Sequence, residues 1–213
     1  MRLIKLHTWP RRKHFEVYRA FDYPHFGLCA NVDITTFFPA VKATDATFNI
    51  AVIYALAWVA NAIPEFRYRI RESQVVEHEV IHPSTTVLGG GDLFSFCTIE
   101  YTHRFADFFP WASQAIASAK ESIQLEDKPG QDDLIFMTGI PWVSFTGLLH
   151  PIHMHPADSV PRIAWGKYFR DGERLVMPLA VQVHHALMDG VHVGRYYQHV
   201  QALFDRPEFL FET

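Results

Sequence analysis

Near its C-terminal end the chain reads His184-His185-Ala186-Leu187-Met188-Asp189-Gly190. An imidazole titrates close to neutrality, so it can take a proton from a hydroxyl and return it within one turnover. The chain holds 13 His, so an isolated one carries little information. The whole pattern is more specific: at the chain's own His, Asp and Gly contents it would arise by chance roughly 0.002 times. The competing reading is a satisfied core histidine beside a tight Asp-Gly turn, and on spacing alone Asp189 suits a plain turn residue before Gly190.

The preceding residues must position that pair. Leu175 to His185 reads as a strand, in which alternate residues share a face. Leu175, Met177, Leu179, Val181 and Val183 fall on one side, and His185 continues that series. Val176, Pro178, Ala180, Gln182 and His184 fall on the other. This places His185 at the strand end against an apolar layer, where burial would keep its ring neutral. Asp171-Gly172 reads as a hairpin turn joining strands over Ile163–Arg170 and Arg174–His185. Upstream, the pattern predicts a helix from Trp9 to about Phe21, a strand from Phe26 to Thr35 and a helix over Ala46–Asn61 stopped by Pro64. A hairpin follows over Arg67–Ile81, then a strand over Asp92–Tyr101, a helix over Pro110–Leu125 and a strand over Leu134–Phe145. His150–Pro161 reads as a loop, and Val191–Phe204 closes the chain as a helix. Alternating strands and helices indicate an α/β fold, a two-layer sandwich of a mixed sheet covered by helices.

Three other groupings invite chemistry. His150-Pro151-Ile152-His153-Met154-His155 has spacings that suit facial metal ligands, but Asp158 is the sole nearby carboxylate, and a loop role is favoured with no metal. Gly89-Gly90-Gly91 lacks the Lys-Ser/Thr of a phosphate loop. Arg11-Arg12-Lys13 suits either phosphate groups or a solvated helix face.

Composition bounds the rest. The 213 residues, 49% hydrophobic and 20% charged, fit a single well-packed domain spanning the chain. A net charge of −4 gives no basic footprint for nucleic acid. The run Phe48–Ile63 falls short of the ~20 residues a membrane span needs, so it reads as a buried helix. Cys29 and Cys97 read as reduced thiols of a cytoplasmic protein.

His184 to Val193 resembles the active-site signature of the chloramphenicol acetyltransferases. Trp9 to Tyr18, Val32-Asp33-Ile34-Thr35-Thr36, Pro141-Trp142-Val143-Ser144-Phe145 and the Pro178–Val183 strand resemble further segments of that family, in the same order. The resemblance implies that family's sandwich fold, with a mainly antiparallel sheet, and a homotrimer with active sites between subunits. It implies His185 as general base and direct transfer from acetyl-CoA to a small alcohol such as chloramphenicol; no activated Ser or Cys adjoins His185. It makes Asp189 and Arg11 a supporting ion pair, Tyr18, Phe26, Cys29, Phe94 and Phe96 the acceptor pocket, and Lys167 and Tyr168 the CoA side. Counted from Pro141-Trp142, the family's oxyanion Ser falls at Gly147 and its water-holding Thr at Ala164. Thr146, Ser144 or a bound water would then replace the missing donor, and Phe96 would narrow the pocket. Two alternatives stay open: a same-fold acyltransferase for another alcohol or a thiol, and a non-catalytic binding homologue.

Overall fold

The computed structural model describes residues 1–126, 128 and 130–211. Its centre is a seven-stranded mixed sheet. β1 (Arg2–Leu3), β3 (Tyr68–Arg71) and β4 (Gln74–Glu77) form a small separate sheet in the order β1-β4-β3. The large sheet contains β2 (His25–Asp33), β5 (His82–Leu88), β6 (Phe94–Thr98), β7 (Leu134–Ile140), β8 (Arg162–Gly166), β9 (Phe169–Asp171) and β10 (Arg174–His184). Its order is β2-β10-β8-β7-β5-β6, with β9 paired to the start of β10; β5–β7 and β7–β8 run parallel and the other pairs antiparallel.

The helices are α1 (Arg12–Tyr18), α2 (Phe37–Lys42), α3 (Phe48–Ala62), α4 (Phe105–Glu121), α5 (Gly190–Asp205) and α6 (Glu208–Phe211). The side chains of α3 and α5 share one apolar core with the inward face of the sheet, including Met177, Leu179, Val181 and Val183. α3 is apolar on every side because it sits inside this core, with ten of its residues buried. Thr47 caps it by accepting the Ile50 amide at 3.3 Å, and Pro64 follows its end. Among the described residues no helix is long and apolar enough to cross a membrane.

Several boundaries differ from the sequence reading. α1 is shorter than expected, with Arg11 at its N-cap. α4 begins at Phe105 rather than Pro110, because Phe105 and Phe108 bury their rings and draw the first turn inward, leaving Pro110 inside the helix. β7 stops at Ile140, since Pro141 has no amide to continue the ladder. β8 and β9 are two strands rather than one. Pro178 is accommodated within β10 because it falls between the stretch paired to β9 and the stretch paired to β8, where no ladder donor is needed. Gly172 takes a positive φ of 62° at the first position of the two-residue turn between β9 and β10.

The segment after β7 matters most for the site. It leaves the sheet edge-on and crosses the face opposite the helices. Lys167 donates its amide to the Val143 carbonyl at 2.9 Å, Ser144 Oγ donates to the Lys167 carbonyl at 2.6 Å, and the His150 amide donates to Gln182 Oε1 at 2.8 Å. Residues 143–150 therefore run from Gly166 on β8 to Gln182 on β10. Gly166 permits the approach: a Cβ there would lie 2.8 Å from the Val143 carbonyl oxygen and 3.0 Å from the Phe145 ring. A Gly166→Ala variant is expected to lift this segment and lower stability by about 1–3 kcal/mol, the usual cost of overpacking. Urea unfolding of the two proteins checks it; equal midpoints would show that the segment is not clamped there.

Candidate active site

β10 ends at His184, and the antiparallel partner β2 sets Phe26 opposite Val183 and His25 opposite His184. His185 adds one further rung, its amide donating to the Pro24 carbonyl at 2.7 Å. The chain then turns through Ala186–Met188 and enters α5 with Asp189 at the N-cap.

The two histidines differ in burial. His185 packs against Phe26, the partner of inward-facing Val183, at the edge of the apolar layer. It lies beyond the strand with its side chain 29% exposed. Its ring stacks on Tyr18 of α1 at 3.8 Å between centroids and 7° between planes, and Phe26 tilts against it at 4.6 Å. His184 is the buried member, 3% exposed.

Arg11 clamps the turn from across the chain. Its Nη2 donates to Asp189 Oδ1 at 2.9 Å and to the His185 carbonyl at 3.1 Å, while Nη1 donates to Asp189 Oδ2. This bidentate pair is charge-assisted, and Arg11 is mostly buried. The hydrogen bond from Arg11 holds the Asp189 carboxyl below its usual range against the opposing effect of burial. His185 Nδ1 lies 3.2 Å from Asp189 Oδ1 but out of line for a hydrogen bond, so that contact is electrostatic. It favours a proton on Nδ1 and leaves Nε2 as the basic nitrogen.

The other expected site residues fall into separate places within one chain. Tyr18 and Phe26 flank His185. Phe94 and Phe96 lie on β6, four strands from β10, or about 19 Å at normal strand spacing. Cys29 pairs with Ala180, Ala180 with Ala164, and Ala164 with Thr138, so these four share the face opposite the helices. Ser144 commits its one hydroxyl proton to Lys167. Thr146 is exposed, and a Cβ on Gly147 would meet nothing within 4 Å. Tyr168 packs tilted against Phe38 and edge-on to Phe48, with centroids 5.1 and 5.7 Å away, near the β9 end of β10. That is about 27 Å along the strand from His184 at the usual rise. Cys29 and Cys97 are free thiols. Two clefts, about 370 Å³ beside Arg71, His78 and Asp132 and about 570 Å³ beside Ile123–Glu126, lie elsewhere on the surface.

Sequence reasoning missed the polar cluster behind His185. His25 Nε2 donates to the Asp158 carbonyl at 2.7 Å, so its Nδ1 is an acceptor, buried without a partner among the described residues. His184 Nδ1 accepts the Ala186 amide at 3.2 Å, and its ring lies edge-on to His25 at 4.9 Å. Arg162 pairs with Asp158 nearby. Among the described residues no group of three His, Cys, Asp or Glu is placed to hold a metal.

Burial pushes His184 down to about 3 and His150 down to about 4, and it lowers His25 as well. In the unfolded chain each would take its proton near the ordinary value of about 6.5. Below that pH the unfolded state binds more protons, so their contribution is whole above about 6.5 and drains as the pH falls toward 4. The melting temperature is expected to drop steadily over that window, and His150→Phe should make the drop shallower. A pH-independent melting temperature between 6.5 and 4 would contradict it.

A mixed sheet under helices with this histidine just past the end of its longest strand, next to the sheet edge, fits an acyltransferase. The chloramphenicol acetyltransferase family model matches residues 1–201. Chloramphenicol acetyltransferases from Klebsiella sp and Escherichia coli are each 33% identical over 203 residues, covering 95% of this chain and 93% of theirs. One from Streptomyces acrimycini is 31% identical over 210 residues, covering 97% and 96%. A solved chloramphenicol acetyltransferase superposes with a TM-score of 0.86 at 26% identity, covering 96% of this chain and all of that one. A dihydrolipoamide acetyltransferase from Azotobacter vinelandii shares the fold, with a TM-score of 0.69 at 15% identity. The chain belongs to the chloramphenicol acetyltransferase family and is an acetyltransferase.

Proposed function

We propose that the protein transfers an acetyl group from acetyl-CoA to a hydroxyl of chloramphenicol, directly and within a ternary complex. The observation that carries this reading is the His185 ring, stacked on Tyr18 and set 3.2 Å from the Arg11-bound carboxylate of Asp189. His185 Nε2 removes the proton of the acceptor hydroxyl as its oxygen attacks the thioester carbonyl. The C–S bond then breaks, and the imidazolium returns its proton to the departing CoA sulfur. The Asp189 carboxylate stabilises the positive ring between these events. General-base help of this kind is typically worth about 10²–10⁴-fold.

The residues assigned to the acceptor pocket fall on two surfaces of one chain, and this supports a site shared between copies in a homotrimer. Tyr18, Phe26 and His185 would come from one copy. The face bearing Cys29, Phe94 and Phe96 would come from the next. Exposed Trp142, Val143, Leu149 and Phe94, at 65%, 55%, 74% and 45%, supply apolar surface for such contacts. Lys167 and Tyr168 would line the CoA side. The free Cys29 and Cys97 suit a reducing, cytoplasmic setting.

Purified protein with acetyl-CoA is expected to release free thiol in a chloramphenicol-dependent manner, and His185→Ala is expected to lower that rate by about 10²–10⁴-fold. Acetyl-CoA binding without chloramphenicol-dependent release would point to another acceptor. Release that survives His185→Ala would remove the base from this ring.

Thr138 is the better oxyanion donor on this geometry. It is half-buried on the open sheet face beside Ala164, between the positions of Cys29 and Phe96, whereas Ser144 is engaged and Gly147 has no side chain. Thr138→Val is expected to reduce turnover by about 10²–10³-fold, the usual loss of one such donor, with Thr146→Val near wild type. The opposite ranking in steady-state kinetics would return the donor to the crossing segment.

A further inference from the structure

The start of α5 holds a second histidine whose role is unaccounted for by transfer chemistry. His192 stands at the third position of the helix and turns its ring back to the N-cap. The Asp189 amide donates to His192 Nδ1 at 2.9 Å. An amide can only donate, so Nδ1 must be unprotonated and the ring proton must sit on Nε2. That nitrogen faces Glu65, whose Oε1 is 3.4 Å away. Glu65 lies on the short turn Pro64–Arg67 that follows α3. Both side chains are mostly buried.

A Glu or Gln at this helix position would satisfy the N-cap amide equally well. A histidine does one thing more: its second nitrogen ties the N-cap to a different element. The line then runs from Glu65 through His192 to the Asp189 backbone. The Asp189 carboxylate is the group shared by Arg11 and His185, at 2.9 Å from Arg11 Nη2 and 3.2 Å from His185 Nδ1. Turning the Asp189 backbone would move both contacts together.

We infer that Glu65 and His192 are positioning residues, which hold Asp189 in the orientation that aligns His185. The inference rests on the assignment of His185 as base. Burial, the largest influence, keeps the His192 ring below its ordinary pKa, with Glu65 and Asp189 pulling upward and Arg11 and Arg195 downward, which agrees with a neutral ring accepting a hydrogen bond.

Nitrogen-15 NMR of the wild-type protein at neutral pH should show His192 as the Nε2–H tautomer; the Nδ1–H tautomer would overturn the inference without any variant. His192→Leu should lower kcat by about 10–100-fold, the scale of a misplaced catalytic group, with KM for both substrates within about twofold. His192→Gln, which returns an acceptor to the Asp189 amide, should recover kcat to within about threefold of wild type. Glu65→Leu should lower kcat in the wild-type background and add nothing to His192→Gln, because it acts through the imidazole. Melting temperatures are measured alongside. A folded His192→Leu protein with unchanged kcat, or a Gln variant that folds and fails to recover, would overturn the inference. His185→Ala is run in parallel: if it abolishes transfer while His192→Leu leaves kcat unchanged, the base assignment stands and the positioning role falls. If His185→Ala retains transfer, the base assignment itself fails.

Discussion

The site depends on one ion pair that joins opposite ends of the chain. Arg11 and Asp189 are 178 residues apart, yet the guanidinium grips both carboxylate oxygens and also the His185 carbonyl. A bidentate, charge-assisted contact fixes angle as well as distance. It sets the N-cap of α5 against the entry to α1, and it brings Tyr18 with it, two turns further along. The stacking of Tyr18 on His185 therefore follows from the same contact. Removing either partner would leave a partly buried charge alone, which is why such pairs cost more to break from one side than they gain by forming.

The sheet makes this contact possible by holding β10 between β2 and β8. Each face of β10 is covered by a different means. Helices cover one face with Met177, Leu179, Val181 and Val183 beneath them. The crossing segment 143–150 covers part of the other, held at Gly166 and Gln182. A strand fixed on both faces and by two neighbours has little freedom at its end, and its last residues inherit that rigidity. The remaining open face carries Cys29, Thr138 and Phe96, and it is continuous with the strand that presents His185.

Most of the element order was legible because alternation and helical spacing are local properties, but α2 and the sheet strand β5, whose His82-Pro83-Ser84-Thr85-Thr86 run lacks a clear apolar alternation, were not. The Pro64 stop, the Asp171-Gly172 hairpin and the β-like character of Leu175–His184 all follow from near neighbours in sequence. The Arg11–Asp189 pair was reached through family resemblance, since nothing in the spacing of Arg11 predicts a partner 178 residues away. The depth of α1, α4 and β7 was misjudged for the same reason: Phe105 and Phe108 extend α4 past a proline by packing on distant residues. The His25, His184, Arg162 and Asp158 cluster was invisible because three strands and a loop must first assemble it. Counting along the chain put the oxyanion donor on the crossing segment, whereas strand register brings Thr138 beside Ala164. His192 carried a readable signal, a side-chain acceptor three residues after an Asp N-cap, but Glu65 could not be paired with it before folding.

The most instructive difference concerns the two adjacent histidines. Strand alternation sets His185 partly buried at the strand end, and its side chain is 29% exposed, while His184 on the other face is the more deeply buried of the two. The difference suits the base role proposed for His185. A group that accepts a proton during the reaction must be able to exist in its charged form for part of each cycle, and a base whose pKa is pushed to about 3, as burial does to His184, accepts protons poorly near neutrality. Ending β10 one residue earlier separates the requirements. His184 fills space as a neutral ring, its tautomer set by the Ala186 amide. His185, one rung further, keeps solvent on part of its ring and lies within 3.2 Å of the Asp189 carboxylate. A single residue of strand length thus separates a packing histidine from one placed to do chemistry.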